Sequence, residues 1–202
     1  MGDLKRPLGP SAVHLCIDMQ RLFAPEGPWP TPWMARVLPS VVRLVEYSPS
    51  RSLFTRFIPP NSPDDVPGMW QTYYRKWRDV TRDRIDTALL DLVPALQRHV
   101  PPAGIFDRMQ YSAFANGGLH TFLRRRGIDT IIVTGSETDV CVLSSVLAAV
   151  DLGYRVVVAR DAICSSSDES HDALLGLYRR RFDIQIEMAE VEEIVAIWGI
   201  DQ

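Results

Sequence analysis

Thr130-Ile131-Ile132-Val133-Thr134-Gly135-Ser136-Glu137-Thr138-Asp139-Val140-Cys141 is the stretch that decides the fold. Its first five residues are β-branched throughout, which predicts a buried strand. Gly135 breaks that strand, and an apolar helix is expected over 139–152, closed by Gly153. The same strand-then-helix order repeats on both sides. Upstream, strands are expected at 12–18, 52–55 and 104–107, with a helix over 33–47, where Val37, Val41, Leu44 and Val45 recur at helical spacing. A further helix over 118–126 stops at Gly127. Downstream, a strand over 155–159 precedes a helix over 168–181. A weaker strand follows at 184–186, then a last helix over 191–198.

Six strands with near-continuous apolar character, alternating with helices along the chain, predict a parallel sheet covered on both faces. Right-handed crossovers then give a Rossmann-like three-layer α/β/α sandwich around a six-stranded sheet. Residues 57–85, opening on the proline-rich run Pro59-Pro60-Asn61-Ser62-Pro63, read as the main irregular insertion. No repeat and no second domain is visible, so a single domain over 1–202 is expected.

Composition narrows the class. With 202 residues, 46% hydrophobic and 23% charged, the chain has a globular balance that excludes wholesale disorder and a fibrous protein. Lys+Arg 22 against Asp+Glu 25 leaves −3, with no global pull toward nucleic acid or an anionic membrane. No apolar run reaches the roughly 18 residues a bilayer span needs. Met1-Gly2-Asp3-Leu4-Lys5-Arg6-Pro7 lacks the apolar stretch and cleavage site of a signal peptide, and Arg6 stands where a myristoylation motif wants Ser or Thr. Three cysteines without CxxC spacing suggest free thiols in a reducing compartment, so a cytoplasmic location is expected.

In open α/β sheets, ligands sit outside the carboxyl ends of the strands. Asp18, Asp107-Arg108 and Gly135 to Cys141 all fall at such ends. A carboxylate there is often only a helix cap, so Asp18 alone is ambiguous. Cys141 follows a glycine turn at a helix start, where backbone N–H groups and the helix dipole stabilise a thiolate and can hold an oxyanion. A core cysteine in an apolar helix fits the spacing equally well, and that reading suits Cys16 and Cys164.

The chain resembles the isochorismatase-like cysteine hydrolases, a family that includes nicotinamidases, N-carbamoylsarcosine amidases and ureidoacrylate amidohydrolases. The likeness runs from about residue 12 to Trp198. It is carried by Ile17-Asp18-Met19-Gln20, Tyr111-Ser112-Ala113-Phe114, Gly127-Ile128-Asp129-Thr130, Gly135 to Val142 and Asp151-Leu152-Gly153-Tyr154-Arg155. Met69-Trp70, the aromatic run 73–77 and the 165–172 stretch resemble an uncharacterised branch rather than a nicotinamidase. The resemblance implies a catalytic Asp at Asp18 and a nucleophile at Cys141. It also implies a cis peptide at Ser136–Glu137 and an oxyanion hole from the backbone N–H groups of Glu137 and Cys141. The family's lysine falls at Arg108, which keeps the positive charge but is not deprotonated in practice and carries a broader fork.

The metal-binding histidines that nicotinamidases carry after strand two are missing from Thr55-Arg56-Phe57-Ile58-Pro59-Pro60. His14, His99, His120 and His171 show no ligand spacing, so no metal site and no cofactor is expected. His171 is expected to cap or bond locally within 165–172. The segment 70–78 mixes aromatics with cations, but Asp79, Asp83 and Asp86 cancel much of that charge. Trp70, Tyr73, Tyr74 and Trp77 fall at helical spacing and read as an active-site wall or a subunit contact, not a nucleic-acid surface.

The expected function is hydrolysis of a non-peptide C–N bond in a small amide, ureido or cyclic compound through a thioester. Phe23, Trp70, Tyr111, Phe114 and Glu137 are expected to form the substrate pocket around Asp18, Arg108 and Cys141. Two other readings stand beside it: an isochorismatase-type vinyl-ether hydrolase, and a binding or scaffold protein in which Arg108 in the lysine's place disables turnover. A homo-oligomer is expected by analogy with relatives.

Overall fold

A computed structural model describes residues 4–199. Its six strands are β1 (Ala12–Ile17), β2 (Ser52–Phe57), β3 (Gly104–Arg108), β4 (Thr130–Ser136), β5 (Arg155–Cys164) and β6 (Ile186–Ala189). All pair in parallel, in the order β3-β2-β1-β4-β5-β6. The helices are α1 (Met34–Tyr47), α2 (Met69–Lys76), α3 (Pro94–Gln97), α4 (Gly118–Arg125), α5 (Leu143–Asp151), α6 (Asp168–Arg181) and α7 (Val191–Ile197).

The period of two in each strand divides the core into two apolar layers. Ala12, Cys16, Ile132, Val157 and Ala159 face one side, where Val37, Val41, Leu44 and Val45 of α1, Leu96 of α3 and Ile194 of α7 cover them. Val13, Leu15, Ile17, Ile131, Val133, Val156 and Val158 face the other, under Leu119 and Leu123 of α4, Val146 of α5 and Leu174 and Tyr178 of α6. Fully burying each such aliphatic side chain contributes on the order of 1.5–3 kcal/mol. The expected three-layer sandwich is therefore the observed one.

Most strand and helix ends shift by a residue or two, and three departures from expectation are larger. β5 runs on to Cys164 because its polar residues are paired: Arg160 with Glu190 at 2.9 Å, and Asp161 accepting from Ser40 Oγ at 3.2 Å and Val191 N at 2.9 Å. β6 begins at Ile186, and Ile184 is 82% exposed in the turn after α6, where the N–H groups of Gln185 and Ile186 donate to the Phe182 carbonyl. The 57–85 segment is not wholly irregular, since it contains α2.

The chain winds outward in both directions from the middle of the sheet. β1, β2 and β3 run toward one edge, and β4, β5 and β6 toward the other. The crevice between the ends of β1 and β4 is thus the topological switch point, where such sheets bind ligands.

Candidate active site

Asp18 leaves β1 in a left-handed backbone conformation, φ 48°, which aspartate tolerates better than most residues. The Thr55 hydroxyl at the centre of β2 fixes it twice. Its oxygen accepts from the Asp18 N–H at 3.2 Å and donates to Asp18 Oδ1 at 2.6 Å. Arg108, the last residue of β3, donates from Nη2 to Asp18 Oδ2 and from Nη1 to the Gln110 carbonyl. Both side chains are buried. The carboxamide of buried Gln20 accepts from Phe57 N at 2.7 Å and donates to the carbonyls of Phe57 at 3.1 Å and Leu90 at 2.7 Å. It ties the loop after β1 to the end of β2.

The second half of the site hangs on Gly135. Its φ is 111°, and a Cβ there would lie 2.0 Å from the Ile17 carbonyl oxygen. Only glycine lets β4 press this closely against the end of β1. The register of β4 on β5 shifts at the same point, between Val133 and Gly135. The Ser136–Glu137 peptide bond is cis. The chain then enters a π-helical turn, Thr138–Val142, before α5. The Glu137 carbonyl accepts from Val140 N at 3.1 Å and Val142 N at 3.0 Å, on either side of Cys141. π-turns inside helices are frequent at functional sites.

Neighbouring side chains pin this turn. Thr138 Oγ1 bonds His171 Nδ1 at 2.9 Å, so His171 reaches across to the π-helical turn rather than bonding within 165–172. Asp139 accepts from Ser165 Oγ at 2.5 Å and Ser170 Oγ at 2.6 Å. Burial pushes the Asp139 carboxyl up, but those two hydroxyls, a backbone hydrogen bond and the nearby His171 together hold the group below its ordinary range.

Cys141 is 6% exposed, while Cys16 and Cys164 are fully enclosed. Burial first, and then the Asp18 charge, push the Cys141 thiol above its ordinary range; Arg108 pulls the other way. The sequence suggested a thiolate favoured by the helix start, but enclosure dominates, and the resting group is a neutral thiol. Burial alone would lower the Arg108 pKa, yet Asp18 and Cys141 beside it hold it above its ordinary value. Arg108 is charged throughout the working pH range.

A cavity of about 380 Å³ opens onto Cys141. Phe23, Trp29, Phe57, Tyr73, Trp77 and Tyr111 form its apolar walls, and Glu137 and Ser166 bring polar groups to it. Phe23, Tyr111, Glu137 and Cys141 all line this cavity. Trp70 does not: it stands behind Tyr111, with ring centroids 4.9 Å apart, and lines a neighbouring recess. Phe114 is buried in the second core layer, stacked on Tyr154 at 6.0 Å. Trp29 and Phe57 carried no periodic signal, because Trp29 lies in a Pro-Trp-Pro loop and Phe57 ends a strand. Asp18 and Arg108 lie behind the cavity wall. Among the described residues, no three His, Cys, Asp or Glu side chains gather in a way that could hold a metal ion. No helix among them is long and apolar enough to cross a membrane.

A model of the isochorismatase domain matches residues 12–190. The chain belongs to the isochorismatase family. Within that family it is 40% identical over 82 residues to the uncharacterized protein YwoC of Bacillus subtilis, covering 38% of this chain and 43% of that one. It is 26% identical over 179 residues to the N-carbamoylsarcosine amidase of an Arthrobacter species, covering 79% of this chain and 62% of the amidase. The chain thus matches about half the length of these curated relatives. A cysteine hydrolase from Pseudomonas syringae pv. phaseolicola superposes with a TM-score of 0.83 at 21% identity, covering 96% of this chain and 95% of that one. That likeness establishes the isochorismatase-like fold.

Proposed function

We propose that this isochorismatase-family chain is a cysteine hydrolase that opens a non-peptide C–N bond in a small amide, ureido or cyclic compound. The observation that carries the reading is the placing of Cys141 in the cavity wall with the Asp18–Arg108 pair directly behind it. A related amidase in the same family supports the bond type.

In this reading the Asp18 carboxylate takes the Cys141 proton as the sulfur attacks the substrate carbonyl. The N–H groups of Glu137 and Cys141 receive the oxyanion. Asp18 returns the proton to the departing nitrogen, the C–N bond breaks, and a thioester remains on Cys141. Water, deprotonated by Asp18, then attacks the thioester; the acid leaves and the thiol is reprotonated. Arg108 keeps a positive charge beside Asp18 through both halves of the cycle.

The test is a panel of small primary carboxamides and N-carbamoyl amino acids, read by ammonia release and by the intact mass of trapped acyl-enzyme. Ammonia release that disappears in Cys141→Ala, with an adduct on Cys141, is the expected result. Absence of both across the panel overturns the reading. It favours instead a binding protein, which the direct Arg108–Asp18 contact would suit because it occupies the carboxylate the thiol needs.

A further inference from the structure

The cavity beside Cys141 carries one charged wall residue, Glu137, and a sleeve of aromatic rings. Trp29 is the hub of that sleeve. Its ring centroid lies 5.8 Å from Trp77 at 85°, 6.0 Å from Phe23 at 22°, 6.1 Å from Phe57 at 62° and 6.3 Å from Tyr73 at 55°. Phe23, Trp29, Phe57, Tyr73 and Trp77 all line the same cavity. The Glu137 carboxylate is oriented by Ser166 Oγ, which donates to Oε2 at 2.8 Å. Glu137 has no ion-pair partner among the described residues. Arg108, the cation behind the nucleophile, is committed to Asp18.

We infer that the substrate of this site carries a cationic ammonium group, held among the Trp29, Trp77 and Tyr73 rings and opposite Glu137 while its carbonyl faces Cys141. The inference rests on the proposed hydrolase reading for the carbonyl half and on the cavity walls for the cationic half. Aromatic faces attract a cation through their quadrupoles, most strongly where water is excluded, and a carboxylate adds direct charge complementarity. A neutral apolar group would fill the same rings but leave Glu137 facing it without compensation.

The experiment compares choline with 3,3-dimethylbutan-1-ol, which has the same shape and hydroxyl but no charge. Neither has an N–H, so hydrogen-bond donation to Glu137 by an ammonium proton plays no part. Binding is read by tryptophan fluorescence and calorimetry, and placed in the cavity by protection of Cys141 from iodoacetamide. Choline is expected to bind about tenfold more tightly than its neutral isostere and to protect Cys141. In Glu137→Gln the preference is expected to shrink at least several-fold. Equal affinities in the parent protein, a lack of Cys141 protection, or a preference unchanged in Glu137→Gln each overturns the inference. The parent-protein comparison stands even where the variant does not fold. Because binding is read without turnover, its failure is separable from that of the hydrolase reading. A chain that acylates Cys141 but ignores the charge loses only the cationic substrate. A chain that binds choline but releases no ammonia loses only the hydrolase.

Discussion

Arg108 meets the Asp18 carboxylate through a single nitrogen, Nη2, while Nη1 is turned to the carbonyl of Gln110. The guanidinium fork is thus split between the site and the loop after β3, and no two-point clamp forms on Asp18. The carboxylate's other oxygen belongs to Thr55. Asp18 is therefore charge-compensated yet retains an arrangement in which one oxygen faces a neutral hydroxyl.

Replacing Arg108 separates charge from geometry. Arg108→Ala leaves a buried carboxylate without its cation, so stability is expected to fall by about 3–5 kcal/mol, read from the denaturant midpoint. Arg108→Lys keeps the charge and releases the Gln110 contact. Turnover on any substrate found is expected to rise, on a scale bounded by the about 10²–10⁴-fold that general acid–base catalysis contributes. A fall in turnover with lysine would instead make arginine the working residue of this chain.

Alkylation should follow exposure and pH together. Cys141, slightly open to the cavity, is expected to react with iodoacetamide before the fully enclosed Cys16 and Cys164. Its thiol is raised above the ordinary range, so the thiolate is a minor species at neutral pH. The rate is expected to climb about tenfold per pH unit between pH 7 and 9 without levelling. A plateau near neutrality, followed by peptide mapping that still places the label on Cys141, would contradict a resting neutral thiol.

Gly135→Ala tests the seam between β1 and β4. Both the positive φ and the 2.0 Å approach to Ile17 oppose any side chain. The variant is expected to lose more than about 4 kcal/mol of stability, among the largest losses single substitutions cause. A thermal midpoint within a few degrees of the parent would show that the two strands can separate there freely.

His14 offers a pH test remote from the cavity. It is enclosed between Ser52 Oγ at 3.2 Å and Thr134 Oγ1 at 2.7 Å, and burial pushes its pKa down to about 3. The unfolded chain binds a proton near the ordinary value of about 6.5, whereas the folded chain refuses it until about 3. Stability is thus full above that ordinary value and falls as pH drops toward 3, with the slope of up to one proton. Chemical denaturation of the parent and of His14→Gln across this range should show the slope reduced in the variant. Parallel curves would mean that His14 does not titrate as described.

The sheet was legible because strands buried on both faces write themselves as unbroken apolar runs, as Thr130 to Val133 and Val156 to Val158 do. The errors fell where tertiary pairing replaced apolarity. Arg160 and Asp161 look like a strand end until Glu190, Ser40 and Val191 are beside them. Ile184 looks like an edge strand until the turn after α6 is seen to consume it. In the site, Asp18, Arg108 and Cys141 were marked by motif and position. Thr55, Trp29 and Phe57 were not, since their roles depend on which loop folds over which strand end. Phe114 was expected in the pocket, but the short turn before α4 carries its ring into the second core layer instead.

The strand order also sets a schedule. Asp18 and Arg108 lie ninety residues apart in the chain, yet both belong to the first half-sheet, which a lengthening chain can complete before β4 exists. Until β4 pairs with it, β1 is the edge of that half-sheet. Pairing of β4 closes the edge, seats Gly135 against Ile17 and brings Cys141 to the Asp18–Arg108 pair. Cys141 is thus the last of the three in chain order, and its enclosure depends on the strand that joins the two half-sheets.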